Sequence, residues 1–318
     1  MIRSDRPGGV LVAGSANADF VVRARHVPAP GETLLGGDLS VFPGGKGANQ
    51  AVAAARAGGA QTAMVVALGE DDQARLLIRS LEGAGVELHI RRSARSTGAA
   101  LITVSDEGEN AITVAPGANA DLRPEDLPPL DAIAWLAMQL ETPLETVLVY
   151  ARSAQVQGVR VLLNAAPARA LPDALLRAVD VLVVNEEELT ALVGEHGSIA
   201  ERLARTGVAI TVATLGSRGA VALVDGDYLV QPAFAVTPVD TTAAGDTFCG
   251  VLVADLAAGE ALGAALRRAA AAAALVTTRA GAQSSIPTRA EVVAFMAEAQ
   301  PADHRPLALY CGIGATAG

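Results

Sequence analysis

Six short apolar runs punctuate the chain: Val10–Ala13, Thr62–Ala67, Ala132–Ala137, Val159–Leu163, Val181–Val184 and Ala209–Thr214. They are continuous rather than alternating, as expected of strands buried on both faces of a parallel sheet. Ala-rich stretches lie between them. Thr142-Pro143-Leu144-Glu145 reads as a helix start, with a capping Thr, Pro at the first helical position and Glu behind it. Thr288-Arg289-Ala290-Glu291 carries the same capping-box pattern. Strand–helix alternation predicts an α/β fold of three layers, α/β/α, around a mostly parallel central sheet with right-handed crossovers.

Three segments break this rhythm. Asp19–Arg25, Thr33–Phe42 and Gly98–Val114 read as short strands with turn chemistry between them. Within the last, Ala99–Val104 and Ala111–Val114 flank the turn-rich Ser105–Asn110, a hairpin pattern. The expectation is a small separate β-sheet, contributed by about 19–42 and 98–115, acting as a lid over a crevice. Such a sheet also leaves an apolar face and open edges that suit pairing of two subunits. Residues 301–318 show no period and are read as a disordered tail.

Composition narrows the class. The chain has 318 residues, of which 67 are Ala, and aromatics make up 3%. The net charge of −10 argues against a nucleic-acid surface, which needs a basic face. Met1–Gly9 lacks the apolar run of a secretory leader, and no stretch approaches the ~20 apolar residues of a membrane span. Two Cys, Cys249 and Cys311, make neither a disulfide framework nor a metal spacing. A cytoplasmic protein is expected. Arg accounts for 23 of the 24 basic residues; the only Lys, Lys46, sits between glycines.

Four clusters carry candidate chemistry. In Phe42-Pro43-Gly44-Gly45-Lys46-Gly47-Ala48-Asn49-Gln50 adjacent glycines allow close backbone approach to a ligand, and a helix, Ala51–Ala57, follows. The segment is not a Walker A loop, since Gly47 stands where Ser or Thr belongs. Nor is it a dinucleotide fingerprint, since Gln50 replaces the third Gly. The blander alternative is a glycine turn with a solvated Lys46. The second cluster is Val239-Asp240-Thr241-Thr242-Ala243-Ala244-Gly245-Asp246-Thr247-Phe248. Its small residues leave free N–H groups at a helix N-terminus, an anion hole, with a carboxylate beside it. Asp246 is either a general base or a helix cap. Asn185-Glu186-Glu187-Glu188, directly after a strand, either holds Mg²⁺ through water or complements a helix dipole. Thr214-Leu215-Gly216-Ser217-Arg218-Gly219 supplies hydroxyls, glycines and an Arg for phosphates, or simply a tight turn. The four His residues are scattered.

Taken together, these residues resemble the ribokinase family of carbohydrate kinases, also called the PfkB family. The likeness runs from about Val10 to Phe295 and rests on Gly44–Gln50 and Asp240–Phe248, in order and at this spacing. Gly14-Ser15-Ala16-Asn17-Ala18-Asp19, Met138-Gln139-Leu140-Glu141 and Arg279-Ala280-Gly281-Ala282-Gln283 are similar to the ribose-phosphorylating members. The resemblance implies a ribokinase-like kinase domain over 1–300, a phosphotransferase with an alcohol acceptor. It further implies transfer from ATP to the 5-hydroxyl of D-ribose.

It also implies roles. Asn17, Asp19, Gly45, Lys46, Asn49 and Glu141 would hold the sugar. Asp246 would deprotonate the attacking hydroxyl, and the N–H groups of Ala243, Ala244 and Gly245 would stabilise the transferring phosphoryl. Asn185, Thr214, Gly216, Ser217, Gly219 and Gly245 would contact ATP, and Glu188 would support Mg²⁺. Asp240, Thr242, Val276, Arg279, Gly281 and Ser285 would surround a monovalent cation, K⁺, several through backbone oxygens. The lid would pair two subunits into a homodimer, with neither nucleic acid nor membrane as partner. One position departs: Ala270 stands where the family often has Asn or His near the adenine. The alternatives are a family kinase for 2-deoxyribose, fructose or a nucleoside, and a non-catalytic sugar-binding protein.

Overall fold

The computed structural model describes residues 8–314. Most of Met1–Gly9 and the last residues of the tail, 315–318, lie outside them. The strands are β1 (Gly9–Ala13), β2 (Asn17–Ala24), β3 (Ser40–Gly44), β4 (Thr62–Leu68), β5 (Glu87–Arg92), β6 (Gly98–Ser105), β7 (Asn110–Ala115), β8 (Ile133–Met138), β9 (Arg160–Asn164), β10 (Val181–Asn185), β11 (Ile210–Thr214), β12 (Gly219–Val224) and β13 (Asp227–Pro232). The helices are α1 (Lys46–Arg56), α2 (Asp72–Gly83), α3 (Leu144–Val156), α4 (Asp173–Leu176), α5 (Glu186–Val193), α6 (Ile199–Arg205), α7 (Ala244–Ala257), α8 (Leu262–Val276), α9 (Arg289–Glu298) and α10 (His304–Tyr310).

The large sheet has nine strands in the order β13-β12-β11-β10-β9-β8-β1-β4-β5. The seven from β11 to β5 run parallel, and β12 and β13 close one edge antiparallel. The continuous apolar runs have a simple cause. Successive side chains leave opposite faces of a strand, and here both faces are covered. Val10 and Val12 of β1 join the core under α1, α7 and α8, while Leu11 and Ala13 join the one under α3. The α/β/α layering therefore follows directly from the sequence pattern.

The second sheet has four strands, in the order β3-β2-β6-β7. It is mixed: β2 pairs parallel with β6, and the two outer pairs are antiparallel. This is the lid sheet, with one trimming. Thr33–Phe42 is not a strand throughout; only Ser40–Gly44 pairs, and the preceding residues are loop.

Three expectations need correcting. The tail is folded: α10 occupies 304–310, buries Leu307 and leads to buried Cys311, so 301–314 is not disordered. Its apolar positions are too few to show a period by themselves. α1 begins at Lys46, not Ala51, so the glycine segment runs straight into the helix. Thr142 does not cap α3, because the helix starts one residue later, behind Pro143. The Thr288–Glu291 capping box is present in both halves.

Candidate active site

In open α/β sheets ligands bind beyond the carboxyl ends of the strands. At that edge β1 hands over to Gly14–Ala16, β8 to Gln139–Glu141, β10 ends at Asn185 and β11 at Thr214. α1 and α7 pack against each other over the same edge. They can approach closely because Gly250 faces α1; a Cβ there would lie 2.5 Å from the Gln50 carbonyl oxygen.

Asp246 sits in the first turn of α7 and is buried. It does not cap its helix. Asn49 Nδ2 donates to its Oδ2 at 2.9 Å and Gln50 Nε2 to its Oδ1 at 3.2 Å, both from α1. Gln50 is itself fixed: its Nε2 reaches Asn164 Oδ1 at 3.1 Å, and its Oε1 accepts from Gln139 Nε2 at 2.6 Å. A carboxylate held by side-chain donors from another helix is aimed, not merely accommodated.

The residue before α7 is Ala243, at φ 61°, ψ 9°. A left-handed conformation costs a non-glycine residue about 1–2 kcal/mol, and such strain collects at functional sites. Here it turns the chain so that α7 opens towards the cleft. The N–H groups of Gly245 and Asp246 have no intrahelical partner, because they lie in the first turn. That of Ala244 reaches Thr241 O at 3.3 Å.

Around Asp246 the sugar-side candidates converge. Ser15 Oγ donates to Glu141 Oε2 at 2.5 Å, and the backbone N–H of Lys46 reaches the same oxygen at 3.3 Å. Gly44 pairs with Asn17 in the lid sheet, so close to Asp19 that a Cβ would collide with its carboxylate. At Gly45, φ 89°, a Cβ would lie 2.6 Å from the Asn17 backbone nitrogen. Burial, together with the carboxylates of Glu141 and Asp246, raises the Asp19 pKa to about 7. Burial also acts against a charged Lys46, but Asp246, Glu141 and Glu188 outweigh it and leave the ammonium above its ordinary value. Lys46 is thus the counter-charge of an acidic cluster.

Two clefts meet at the start of α7. One, of about 350 Å³, is walled by Thr214, Gly216, Ser217, Gly219, Phe234 and Ala270 among others. The other, of about 180 Å³, holds Lys46, Asn164, Asn185, Glu188 and Asp246. Thr214, Thr241, Ala244 and Gly245 line both. Arg218 does not line either; its guanidinium lies 4.2 Å from the centre of the Tyr310 ring. Asn185 and Glu188 form a reciprocal capping box at the head of α5, at 2.7 and 2.8 Å. Burial raises the Glu188 pKa, against the opposing Asn185 N–H and Lys46.

Asp240, Gly281 and Ser285 gather at the end of α8. Asp240 accepts from the N–H groups of Thr242 at 2.9 Å and Gly281 at 3.0 Å. Its own N–H donates to Thr277 O, next to Val276, at 3.1 Å. Ser285 Oγ donates to Gly281 O at 2.5 Å, and Val276 O accepts from the Arg279 N–H. The Arg279 side chain turns away to Glu291. Burial works to raise the Asp240 pKa, but the hydrogen bonds from Thr242 and Gly281 prevail and lower it. Among the described residues no group of three or more His, Cys, Asp or Glu is placed to hold a metal ion; here the single Asp240 carboxylate stands beside the backbone oxygens of Val276 and Gly281.

Sequence reasoning missed Asn119 and Asn164, and it gave no role to Gln50 and Gln139, although both lie in the motifs that carry the resemblance. Asn119 stands just after the lid, buried, and its Nδ2 donates to Asn17 Oδ1 at 2.7 Å while its Oδ1 accepts from Ala16 N. A buried amide has no signature in spacing, and only the fold brings these four to the site.

The pfkB family carbohydrate kinase model matches residues 8–289. The chain belongs to the pfkB family of carbohydrate kinases. It is therefore a phosphotransferase with an alcohol group as acceptor. It is 40% identical over 303 residues to ribokinase of Haemophilus influenzae, covering 91% of this chain and 99% of that one. The crystal structure of a ribokinase from Thermotoga maritima matches with TM-score 0.85 and 36% identity, over 91% of this chain and 99% of that one. That of Arabidopsis thaliana ribokinase complexed with ribose and ATP matches with TM-score 0.83 and 32% identity, over 91% and 98%. Among the described residues no helix is long and apolar enough to cross a membrane.

Proposed function

We propose that this kinase transfers the terminal phosphoryl group of ATP to the 5-hydroxyl of D-ribose. The observation that carries the reading is the position of Asp246. It is held by Asn49 and Gln50 on the sugar side and stands beside the α7 N-terminus on the phosphate side. The hydroxyl proton passes to the Asp246 carboxylate as the ribose oxygen bonds to the γ-phosphorus and the bond to ADP breaks. The unpaired N–H groups at the head of α7, those of Gly245 and Asp246, receive the charge on the transferring group, while that of Ala244 is turned to Thr241 O; positioning and charge stabilisation do most of the work.

Asn17, Asp19, Gly45, Lys46, Asn49 and Glu141 hold the sugar. The buried Asn49 Oδ1 has no protein partner, which suits a sugar hydroxyl as donor. The larger cleft takes the nucleotide against Thr214, Gly216, Ser217 and Gly219. Its wall at Ala270 is apolar, so the adenine is held there by shape and contact. Bound Mg²⁺ would supply charge neutralisation at the phosphates. Glu188 fits a metal-bound water: it faces the smaller cleft, with one carboxylate oxygen committed to the Asn185 N–H. Asp240, Thr242, Val276, Arg279, Gly281 and Ser285 offer one carboxylate and several carbonyls, an all-oxygen donor set that suits K⁺. The chain works as a homodimer joined through the lid, in the cytoplasm, where ATP and free sugars meet.

The test is ADP release with Mg-ATP over ribose, 2-deoxyribose, fructose, adenosine and no sugar, with and without K⁺. Release strongest with ribose and raised by K⁺ supports the reading. Release strongest with another acceptor keeps the chemistry and moves the substrate.

A further inference from the structure

The segment after α9 lies beyond residues 8–289, which the family model matches, yet its start is tied to the larger cleft at two places. Pro301 bridges to Phe234, and the Ala302 N–H donates to Ala233 O at 3.2 Å; Ala233 and Phe234 both line that cleft. At the other end of the segment Tyr310 does two things at once. Its ring carries the Arg218 guanidinium at 4.2 Å, and its hydroxyl donates to Glu186 Oε1 at 2.8 Å.

The two residues it grips stand beside the two clefts: Arg218 in the turn that walls the larger one, and Glu186 at the head of α5, whose Asn185 and Glu188 line the smaller one. Arg218 closes the turn Gly216–Arg218, whose neighbours Gly216 and Ser217 form the cleft wall. That turn is bounded by glycines at φ 57° and 121°; backbone bonds hold its base, Leu215 N–H to Gly219 O at 2.8 Å and Ala233 N–H to Arg218 O at 3.1 Å, and Tyr310 anchors the Arg218 side chain at its tip. Glu186 is the first residue of α5, next to Asn185 and two residues before Glu188. The far side of α10 is secured independently, by buried Leu307 and by the Ala200 N–H donating to Cys311 O at 3.0 Å.

We infer that residues 301–311 form a strap that fixes the Gly216–Arg218 turn relative to the head of α5, with Tyr310 as its positioning residue. Tyr310 touches neither cleft. It acts through Arg218 and Glu186, holding Gly216 and Ser217 in register with Asn185. Arg218 is thereby a strut, and phosphate contact falls to the backbone and hydroxyls of its neighbours. The inference rests on reading the larger cleft as the nucleotide site.

The experiment compares the full chain with Tyr310→Ala, Tyr310→Phe and Arg218→Ala. It measures kcat, KM for ATP, KM for ribose, the Kd of ADP by calorimetry, and the melting temperature. Tyr310→Ala and Arg218→Ala are expected to raise KM for ATP and Kd for ADP about three- to tenfold, the size of a lost cation–π contact and hydrogen bond. KM for ribose and kcat stay within about twofold. Tyr310→Phe keeps the ring on Arg218 and falls between. A double variant is no worse than Tyr310→Ala alone, because both remove one contact. Wild-type KM for ATP in a folded Tyr310→Ala or Tyr310→Phe overturns the strap, and so does an equal loss for both substrates. If Tyr310→Ala fails to fold, Tyr310→Phe and Arg218→Ala decide. The cleft assignment is tested separately by Ser217→Tyr, which fills the cleft: undiminished ADP binding there overturns the nucleotide reading and the strap with it, whatever Tyr310 does.

Discussion

Asn49 and Asp246 are 197 residues apart in the chain, yet the amide nitrogen of one donates to Oδ2 of the other at 2.9 Å inside the fold. The bond joins the glycine-rich Gly44–Gln50 motif to the small-residue motif Asp240–Phe248 and ties the sugar-side helix to the phosphate-side helix. It also uses one acceptor site of the carboxylate, which orients the rest. Hydrogen bonds to charged groups contribute about 1.5–3 kcal/mol. Asn49→Ala is therefore expected to lower kcat/KM for ribose by about ten- to a hundredfold. Steady-state kinetics on the folded variant checks this, and a loss under twofold would mean that Asp246 needs no such aim.

Asp19 makes the site pH-dependent. Burial first, then Glu141 and Asp246, raises its pKa from an ordinary 3.8 to about 7. An acid of this kind favours the folded state fully below 3.8 and loses that contribution as the pH rises through about 7. Asp19→Asn is expected to be more stable than the parent chain at pH 8, with the gap closing as the pH falls towards 4. Denaturant titrations at several pH values measure it. The ionised carboxylate is the better acceptor for sugar hydroxyls, so kcat/KM for ribose falls below about pH 7 in the parent chain. That limb is absent in Asp19→Asn.

Much of this was legible in the residues. Continuous apolar runs declared the covered parallel sheet, because strands such as Val181–Asn185 feed both cores at once. The glycine-rich Gly44–Gln50 cluster and the small-residue Asp240–Phe248 cluster declared themselves because anion holes and close backbone approach need small residues. The roles of the amides Gln50, Gln139, Asn164 and Asn119 stayed hidden, since each matters only for what it faces across the fold. β5, β12 and β13 were also missed; β5 and β13, at the two edges of the sheet, are only partly buried, and their polar residues break the apolar run. α10 was missed because its hold on the protein lies in single contacts, Tyr310 with Arg218 and Glu186, and not in an apolar period.

A buried ion pair supports the helix that carries the anion hole. Asp255 of α7 is fully buried, and Arg268 of α8 donates to its Oδ1 at 2.5 Å. Removing one partner of such a pair strands a charge and costs about 3–5 kcal/mol. Arg268→Ala is expected to lose stability of that order in urea unfolding. A change below 1 kcal/mol would mean that solvent reaches Asp255.

The lid carries its own prediction. Phe42, Asp19, Ala100 and Val114 form one cross-strand row. The sheet face that presents Asp19 therefore also exposes Val114 and, two residues along, Ile112, at 42% and 55%. A second subunit's lid is expected to cover these residues. Light scattering should find a dimer, and Ile112→Glu with Val114→Glu should give a monomer. A monomeric parent chain at working concentration would contradict the assignment.

The central claim is that Asp246 is the base for phosphoryl transfer to ribose. The most direct measurement sets turnover of Asp246→Asn beside its ribose affinity by calorimetry. Asn keeps the shape and removes the proton acceptor. The account predicts measurable ribose binding and a kcat lower by about 10²–10⁴. Turnover within a fewfold of the parent chain would contradict it.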